Sequence, residues 1–394
     1  MRVLLVNAHG ADLARGGAEK YVSEIAAGLG RRGHEATVLS AFPLEHDGFA
    51  GETVVLHATD WRGDNRRRIE NHLGDLVANP SERLEDAVAA ARPDVVHTNN
   101  LPGISTAVWE VCRRLDLPVV HTIHDYYLLC PRVTLQRRDG TPCCPHPAFC
   151  RVRTARLARW TRAVGDVIVV SDHVHQRHER LFPRAAFHLV RIPTTPLGWA
   201  PLEPPQSPPQ TIGYMGALDR VKGIEVLLAA AAQLGEAGFV VQIAGAGRLR
   251  GLVEEAAARG VVHYAETVHG EAKRRFVEAT DLAVLPSTWE EPGGPPYSVA
   301  EWLAAGRPIL VSRRGGLEEI GAQFAGAVTM ECGPEGLVEA ARRLADSAAW
   351  DELVRSIPAP DDAAAAEWLD RHEAVYELAR SRWVGVWARS TSAL

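Results

Sequence analysis

The sequence lacks any apolar run that could cross a membrane. No uncharged apolar stretch reaches the roughly 18 residues that a membrane-spanning helix needs. The apolar run at residues 3–6 is followed at once by polar residues, so it is too short for a signal peptide and indicates a buried strand. We therefore expect a cytoplasmic protein. A peripheral contact with a membrane stays open.

An excess of positive charge is also missing. The formal net charge is −6, which argues against a general nucleic-acid binder, because such proteins carry a basic face. Hydrophobic residues make up 46% of the chain and charged residues 23%, which is typical of a globular protein. A chain of 394 residues exceeds the size at which a single core usually keeps growing, so we expect two domains.

The six cysteines are too few for a disulfide scaffold in a chain of this length. Four of them cluster as Cys130, Cys143, Cys144 and Cys150, with His146 among them. A small structural zinc site is one interpretation. Free thiols or a single disulfide are favoured, because zinc sites usually contain paired C-x₂-C spacing and two of these cysteines are adjacent.

Two familiar phosphate-site and metal-site motifs are absent from the places where they would act. The G-x-G-x-x-G match in the sequence, GLGRRG at residues 28–33, lies at the end of the first predicted helix and not between a strand and a helix, which disfavours a dinucleotide dehydrogenase. There is no Asp-x-Asp pair to hold a divalent ion beside a sugar nucleotide. The chain nevertheless opens with a buried strand, a Gly-rich loop, an amphipathic helix and a second strand, the unit of a doubly wound α/β sheet. Short β-branched runs predict buried parallel strands at 3–6, 36–39, 54–57, 95–97, 119–123 and 167–170.

The second half of the chain repeats this pattern. A Pro-rich segment at 196–210 predicts a stiff linker, because its proline density excludes a helix or a central strand. Beyond it, strands are predicted at 211–215, 240–244, 261–264, 282–285, 308–311 and 327–329. We therefore predict two Rossmann-like domains, residues 1–195 and 211–374, that face each other across a cleft. A helix at 363–388 should follow, and from about residue 375 to 394 the tail should pack back on the first domain.

Polar side chains follow several predicted strands of the first domain. His9 follows the first strand, Asn99 and Asn100 follow the strand at 95–97, and Asp125 and Tyr126 follow the strand at 119–123. His124 also follows the strand at 119–123. Ligands bind at the carboxyl ends of such strands, so these residues are candidates for an acceptor site.

The stretch from residue 281 to 320 carries the strongest functional signal. It reads as strand, Gly-rich loop, helix, strand and Gly-Gly turn, and it holds the carboxylates Glu290, Glu291 and Glu301. Loop amides and a helix N-terminus bind anions, and carboxylates bind sugar or ribose hydroxyls through strong charge-assisted hydrogen bonds. The loop at 216–223 adds two cations, Arg220 and Lys222, just before another helix. Cations and helix amides can hold a diphosphate without a metal.

Taken together, these segments resemble the retaining glycosyltransferases of family 4, which have the two-domain GT-B fold. The resemblance covers nearly the whole chain: GGAEKYVSEIAAGLGRRGHEATVLS near the start, PDVVHTNN, HTIHDYYLLCPR, the loop from Gly216 to Gly223, IAGAGRL, and the stretch from 281 to 320. It implies transfer of a sugar from a nucleotide-diphosphate sugar, UDP by default, to an acceptor hydroxyl. It also implies attack from the face that the diphosphate leaves, and no metal or other cofactor.

The resemblance also implies roles for individual residues. Lys222 would bind the diphosphate, Glu301 the ribose hydroxyls, and Glu291 the donor sugar. His124 would lie beside the reacting sugar, and Arg220 would assist Lys222. The other implied donor-side residues are Gly16, Gly17, Gly216, Gly245, Gly247, Arg248, Glu290, Gly293, Gly294, Tyr297 and Ser298.

The sequence departs from the family at two positions. Nine residues separate Glu291 from Glu301, where the family has seven, and the position that would leave seven residues before Glu301 is occupied by Gly293. Ala217 stands where the family usually has an arginine, and Arg220 is the nearest replacement. Both departures concern the donor-sugar contacts more than the nucleotide contacts.

Alternatives remain at this stage. A nucleotide-sugar epimerase or a transferase-like coupling enzyme could use the same fold, and a nucleotide-sugar-binding subunit could have lost catalysis. The basic segment at 151–162 is either a solvated helix face or a dock for a phosphorylated or membrane-bound acceptor. The identity of the acceptor and the oligomeric state are not encoded in any motif that we recognise.

Overall fold

The computed structural model describes residues 1–11, 16–43, 51–57, 80–137, 139–143, 145–195, 198–199 and 202–391, with side chains up to residue 383. The chain divides into two compact units. Unit 1 contains Met1–Leu135, Cys143–Val190 and Glu367–Leu394, and unit 2 contains Gln136–Pro142 and Arg191–Ala366. Within the described residues, no helix is long and apolar enough to cross a membrane.

Unit 1 is built on a parallel sheet of seven strands in the part of the chain that is described. Their order across the sheet is β3-β2-β1-β4-β5-β6-β7. The strands are β1 (Arg2–Asn7), β2 (Glu35–Ser40), β3 (Glu52–Val55), β4 (Val95–Thr98), β5 (Val119–Ile123), β6 (Asp166–Val169) and β7 (Ala186–Leu189). The helices are α1 (Gly17–Arg31), α2 (Glu82–Ala91), α3 (Ala107–Arg114), α4 (Ala148–Ala158) and α5 (Asp172–His178).

Unit 2 repeats this architecture with six parallel strands among its described residues, ordered β10-β9-β8-β11-β12-β13. They are β8 (Thr211–Met215), β9 (Val240–Ala244), β10 (His263–Tyr264), β11 (Leu282–Leu285), β12 (Ile309–Ser312) and β13 (Ala327–Met330). The helices are α6 (Ile224–Glu236), α7 (Arg250–Ala258), α8 (Gly270–Glu278), α9 (Tyr297–Ala304), α10 (Leu317–Gln323), α11 (Pro334–Leu344) and α12 (Ser347–Ser356). Helix α13 (Asp362–Thr391) ends the described chain.

The strand order fixes where ligands can enter each unit. In unit 1 the chain direction across the sheet reverses between β1 and β4, and in unit 2 it reverses between β8 and β11. Loops diverge at such a switch point and leave a crevice at the carboxyl ends of the strands. The central strands themselves are buried on both faces: every residue of β4, β5, β6, β11 and β12 is buried. A ligand site is therefore expected at each of the two switch points.

The doubly wound α/β prediction is confirmed for both halves, and two local differences stand out. Strand β7 was missed, because its sequence AFHL is short and only partly buried at the sheet edge, so it carries no clear pattern. The described part of the Pro-rich segment is held against unit 2. The carboxylate of Asp281 accepts hydrogen bonds from the backbone N–H groups of Gln206, Gln210 and Thr211, and Trp350 donates its indole N–H to the carbonyl of Gln206.

Helix α13 joins unit 1 through a buried hydrogen-bond network. The Nδ1–H of His372 donates to the carbonyl of Trp368 at 2.7 Å, so its Nε2 accepts from the hydroxyl of Tyr21 at 2.5 Å. Tyr376 bonds Nδ1 of His97 at 2.8 Å. Burial lowers the pKa of His372 to about 4 and that of His97 well below its ordinary value. The histidines of this network are therefore neutral when the protein is folded.

These buried histidines should make unit 1 sensitive to acid. Burial also lowers the pKa of His121 and of His124 to about 3. The unfolded chain would protonate them near pH 6.5, so it binds more protons than the folded chain below that pH. We expect the free energy of unfolding to fall as the pH drops from about 6.5 to about 4.

Urea unfolding at a series of pH values measures this slope. Because each such histidine adds at most about 1.4 kcal/mol per pH unit, His372→Gln should flatten the slope by about that amount. The exposed His263 of β10 serves as the control, and His263→Gln should leave the slope unchanged. Equal slopes in the wild type and in His372→Gln would show that His372 is not buried in its neutral form.

Candidate functional site

The loop that follows β8 lies at the switch point of unit 2. It runs through Gly216 to a short helical turn at Arg220–Lys222, and Gly223, with a φ of +79°, is the N-cap residue directly before α6. A Cβ on Gly223 would lie 1.7 Å from the carbonyl oxygen of Pro286, at the end of β11. Glycine is required here, because both the positive φ and the contact exclude a side chain. This contact holds the loop after β8 against the start of the loop after β11.

Lys222 and Glu291 form an ion pair at this point. The Nζ of Lys222 lies 2.6 Å from Oε1 of Glu291, and the hydroxyl of Ser287 donates to the same oxygen at 2.7 Å. The carboxylate side chain is 4% exposed and the lysine 28% exposed. The Nζ also lies 5.5 Å from the centre of the Trp289 ring. The lysine is therefore held at a defined position, with part of its side chain open to solvent.

The other two cations predicted for this site have different surroundings. Arg220 pairs with Glu225 at 2.9 Å and its side chain is 54% exposed. Arg248 is 86% exposed, and its nearest carboxylate, that of Asp219, is 3.9 Å away. The structure therefore brings Lys222 to Glu291 and leaves the two arginines at the surface.

The loop after β9 packs backbone to backbone against the loop after β8. A Cβ on Gly245 would lie 1.8 Å from the carbonyl oxygen of Gly216, and a Cβ on Gly247 would lie 2.5 Å from that of Leu218. The N–H of Leu218 donates to the carbonyl of Ala246 at 2.8 Å. The glycines of IAGAGRL thus allow two loops to approach at the carboxyl edge of the sheet.

Glu301 is paired with a lysine that the sequence analysis did not identify. Its Oε2 lies 2.9 Å from the Nζ of Lys273, which belongs to α8, and the two side chains are 16% and 23% exposed. The chain has only three lysines, and two of them, Lys222 and Lys273, hold the two glutamates of the motif. Because the sequence contains so few lysines, Lys273 could have been selected as a candidate from the sequence alone. The pairing itself depends on how α8 packs beside α9.

The two-residue expansion before α9 forms a loop that packs on the Gly-Gly turn after β12. Gly316 donates its N–H to the carbonyl of Glu291 at 2.7 Å, and a Cβ on Gly293 would lie 2.9 Å from the Cα of Gly316. Gly294 accepts a backbone hydrogen bond from Ile192 at 2.7 Å. Helix α9 then starts at Tyr297 and Ser298 without a side-chain cap, which leaves its N-terminus suited to an anion.

A second polar pocket lies at the switch point of unit 1. Its lining includes Asn99, Asn100, His124, Asp125 and Tyr127. The Nε2 of His124 lies 2.9 Å from Oδ1 of Asn99, and the backbone N–H of Asn100 donates to Asn7 at 3.0 Å. These groups come from the end of β1 and from the loops after β4 and β5. The prediction that their side chains gather at one edge of the sheet therefore describes this pocket.

Burial shifts the pKa of each of two titratable side chains in this pocket toward its neutral form. The pKa of His124 falls to about 3, so its imidazole is neutral, and that of Asp125 rises to about 6. The backbone N–H of Tyr127 donates to Asp125 at 2.8 Å, which partly opposes the rise. The raised pKa of Asp125 favours folding below about pH 4, and this contribution is lost as the pH rises through about 6. At neutral pH the pocket therefore contains a neutral imidazole and an ionised Asp125 carboxylate.

The remaining predicted residues lie elsewhere. Tyr126 is fully buried and stacks on His178 at 5.9 Å, and His9 is buried with its ring 5.1 Å from that of Phe42, so neither lines the pocket. Gly16 and Gly17 are exposed at the start of α1.

The cysteine cluster holds no metal-binding group that the structure describes. The thiols of Cys130, Cys143 and Cys150 are free, and Cys144 lies outside the described residues. Among the residues with coordinates, no three His, Cys, Asp or Glu side chains are arranged to hold a metal ion.

Comparisons with known proteins agree with the geometry of both units. The family model for Glycosyltransferase Family 4 matches residues 15–195, and the model for Glycosyl transferases group 1 matches residues 209–347. Together they cover most of the chain. The two matches support a glycosyltransferase of the family 4 type. An uncharacterized 42.6 kDa protein from the cps region of Klebsiella pneumoniae is 26% identical to this glycosyltransferase over 81% of its chain and 87% of the relative.

Solved structures match the GT-B fold of this glycosyltransferase over the whole chain. The sucrose-phosphate synthase of Thermosynechococcus elongatus aligns with a TM-score of 0.64 and 19% identity, and covers 100% of this chain and 99% of the other. Anabaena HepE in complex with UDP-glucose aligns with a TM-score of 0.62 and 17% identity, with the same coverage. At these identities the likeness establishes the fold, and the substrates of this glycosyltransferase are a separate question.

Proposed function

We propose that this glycosyltransferase transfers a sugar from a UDP-sugar to an acceptor hydroxyl, with retention of the anomeric configuration and without a metal ion. The observation that carries the proposal is the ion pair of Lys222 with Glu291 at the switch point of unit 2. A compact ammonium held there is suited to the charge that develops on a departing diphosphate. The structure of HepE with UDP-glucose supports the choice of nucleotide, because the two folds align over their full length.

In this proposal Glu291 has a positioning role in addition to its predicted contact with the donor sugar. One of its oxygens is held by both Lys222 and Ser287, so the carboxylate fixes the ammonium where the diphosphate binds. When the diphosphate arrives, the ammonium can bond a phosphate oxygen through another of its three protons. Arg220 can swing from its exposed pair with Glu225, since an ion pair of that kind is weak.

The leaving diphosphate takes the acceptor's proton in the proposed mechanism. An alternative double displacement would need a carboxylate behind the anomeric carbon. We assign no residue to that task. Same-face attack needs only a strongly stabilised leaving group and a site from which water is excluded. The role of His124 beside the reacting sugar stays a prediction.

We assign the ribose to Glu301. Lys273 fixes one carboxylate oxygen of Glu301 at 2.9 Å, which orients the group before the nucleotide binds. A carboxylate oriented in this way can accept hydrogen bonds from the 2′- and 3′-hydroxyls. The N-terminus of α9, four residues before it in the chain, can receive a phosphate oxygen.

Donor binding and product analysis test this function together. A UDP-sugar should raise the melting temperature more than GDP-, ADP- or dTDP-sugars do, because it binds the native state. With a panel of hydroxyl acceptors, UDP should be released in step with a product whose anomeric configuration, read by NMR, equals that of the donor. Chelation of divalent ions should not change the rate. A sugar isomer formed without any acceptor would instead indicate an epimerase, and donor binding without turnover would indicate a binding subunit.

The ribose assignment has its own readout. Wild-type protein should bind UDP about ten- to a hundredfold more tightly than 2′-deoxy-UDP, since a hydrogen bond to a charged group contributes about 1.5–3 kcal/mol. Glu301→Gln should remove most of this preference, and Lys273→Met should reduce it while leaving the carboxylate present. A variant Glu301→Gln that kept the full preference for UDP would transfer the ribose role to another residue.

A further inference from the structure

The outer face of α4 in unit 1 exposes apolar side chains that nothing in the described structure covers. Phe149 is 44% exposed and Val152 is 54% exposed, and they lie one helical turn apart. Only five large hydrophobic side chains in the described part of the protein are this exposed, and two of them form this pair. Isolated exposed apolar residues are ordinary, whereas Phe149 and Val152 are contiguous on one helix.

The same face is strongly basic. Arg151 and Arg156 of α4 and Arg162 in the turn after it are exposed, and among the described residues none of them pairs with a carboxylate. No Asp or Glu occurs between residues 140 and 165, although the whole chain carries a net charge of −6. The partner of this face must therefore combine negative charge with apolar surface.

The inner face of α4 is fixed to the polar pocket of unit 1. Arg153 is fully buried, donates from Nη1 to the carbonyl of Tyr127 at 2.7 Å, and stacks over the Tyr127 ring at 4.6 Å. Thr154 donates its hydroxyl to the carbonyl of Leu128 at 2.9 Å. Tyr127 and Leu128 both line the pocket. Buried contacts on its inner side therefore attach α4 to the wall of that pocket.

We propose that the outer face of α4, defined by Phe149, Arg151, Val152 and Arg156, together with Arg162 in the turn that follows the helix, docks this glycosyltransferase on an anionic lipid membrane. The arginines bind lipid phosphate groups, and Phe149 and Val152 enter the boundary between headgroups and acyl chains. A second copy of the same face cannot cover it, because the two sets of arginines would repel each other. Nucleic acid would satisfy the arginines and leave the aliphatic side chain of Val152 without a partner.

Docking would place the pocket of unit 1 beside the lipid surface. Combined with the proposed function, on which this step alone rests, the acceptor is then a hydroxyl of a lipid-anchored glycoconjugate. The docking itself needs neither donor nor turnover, so it can be tested independently of the reaction.

Vesicle flotation of the 394-residue chain tests the docking. The protein should float with vesicles that contain phosphatidylglycerol, should not float with pure phosphatidylcholine vesicles, and should be released by high salt. Arg151→Gln/Arg156→Gln should lower the partition coefficient roughly twentyfold, since each basic residue near an anionic surface contributes roughly fivefold. Phe149→Ser/Val152→Ser should weaken binding and increase its dependence on salt.

Matched variants on other helices provide the controls. Arg342→Gln/Arg343→Gln removes two exposed arginines from α11, and Leu252→Ser removes an exposed apolar side chain from α7. Both should float like the wild type. Wild-type protein that stays unbound on anionic vesicles, or an equal loss in the α4 and control variants, overturns the proposal. Either of those outcomes leaves the transfer reaction to a soluble acceptor untouched.

Discussion

Lys222→Met is expected to lower kcat by about 10²–10³, because removing one preorganised donor from a developing anion has an effect of that size. Lys222 stands where two loops meet at the switch point of unit 2, and it is held there by Glu291 and Ser287. Lys222→Arg should recover part of the rate, since it restores charge with a different shape. Steady-state kinetics with a UDP-sugar measures the effect.

Stability must be separated from catalysis in this experiment. Lys222→Met leaves the buried carboxylate of Glu291 without its cation, which should lower the free energy of unfolding by about 1–3 kcal/mol. The double variant Lys222→Met/Glu291→Gln removes both charges and keeps an acceptor for Ser287, so it should regain stability without regaining activity. Arg220→Met changes an exposed arginine two residues before Lys222 in the same helical turn, and it should lower kcat less than tenfold. Full activity in Lys222→Met would refute the assigned role.

Gly223→Ala is expected to cost more than about 4 kcal/mol of stability, which places it among the exceptional substitutions. The new Cβ would lie 1.7 Å from a backbone oxygen, that of Pro286, and a backbone atom cannot move aside as a side-chain rotamer can. Relief requires the loop after β8 to move away from the end of β11. Donor affinity should therefore fall together with stability.

Gly238→Ala supplies a matched control for backbone strain. Gly238 has a φ of +86°, close to the +79° of Gly223, but a Cβ there would meet nothing within 4 Å. Gly238→Ala should cost only about 1–2 kcal/mol, the strain of a left-handed conformation. Urea unfolding of both variants separates strain from overlap. Similar losses in the two would mean that the contact with Pro286 is not rigid.

The candidate site contains a helix that the sequence predicted and two ion pairs that it did not predict. The pattern of 281–320 predicted a helix that carries Glu301 after a Gly-rich loop, and α9 has that form. Nothing in the local sequence indicated that Lys273, 28 residues earlier, would bind Glu301, or that Lys222 would bind Glu291. Both pairs join elements that are distant in the chain, so they depend on the order of strands in the sheet and on how the helices pack over it.

In the pocket of unit 1, the sequence predicted the edge of the sheet but not every side chain that lines it. Polar residues after β1, β4 and β5 predicted a ligand edge, and four of the proposed side chains, those of Asn99, Asn100, His124 and Asp125, line one pocket. Tyr126 and Tyr127 are adjacent and chemically identical, yet the first is directed into the core against His178 and the second lines the pocket. A loop without a repeating pattern does not reveal which of two neighbours faces inward.

The sequence by itself determined the doubly wound architecture of both halves, because β-branched runs, amphipathic helices and glycine turns are local features with a fixed period. It also determined the family, through the order and spacing of several motifs. Only the tertiary structure decided which charges meet, which histidines lose their proton affinity, and which face of α4 remains exposed. Those properties arise from burial and from contacts between distant segments, and the strength of an electrostatic interaction depends on that burial far more than on the residues themselves.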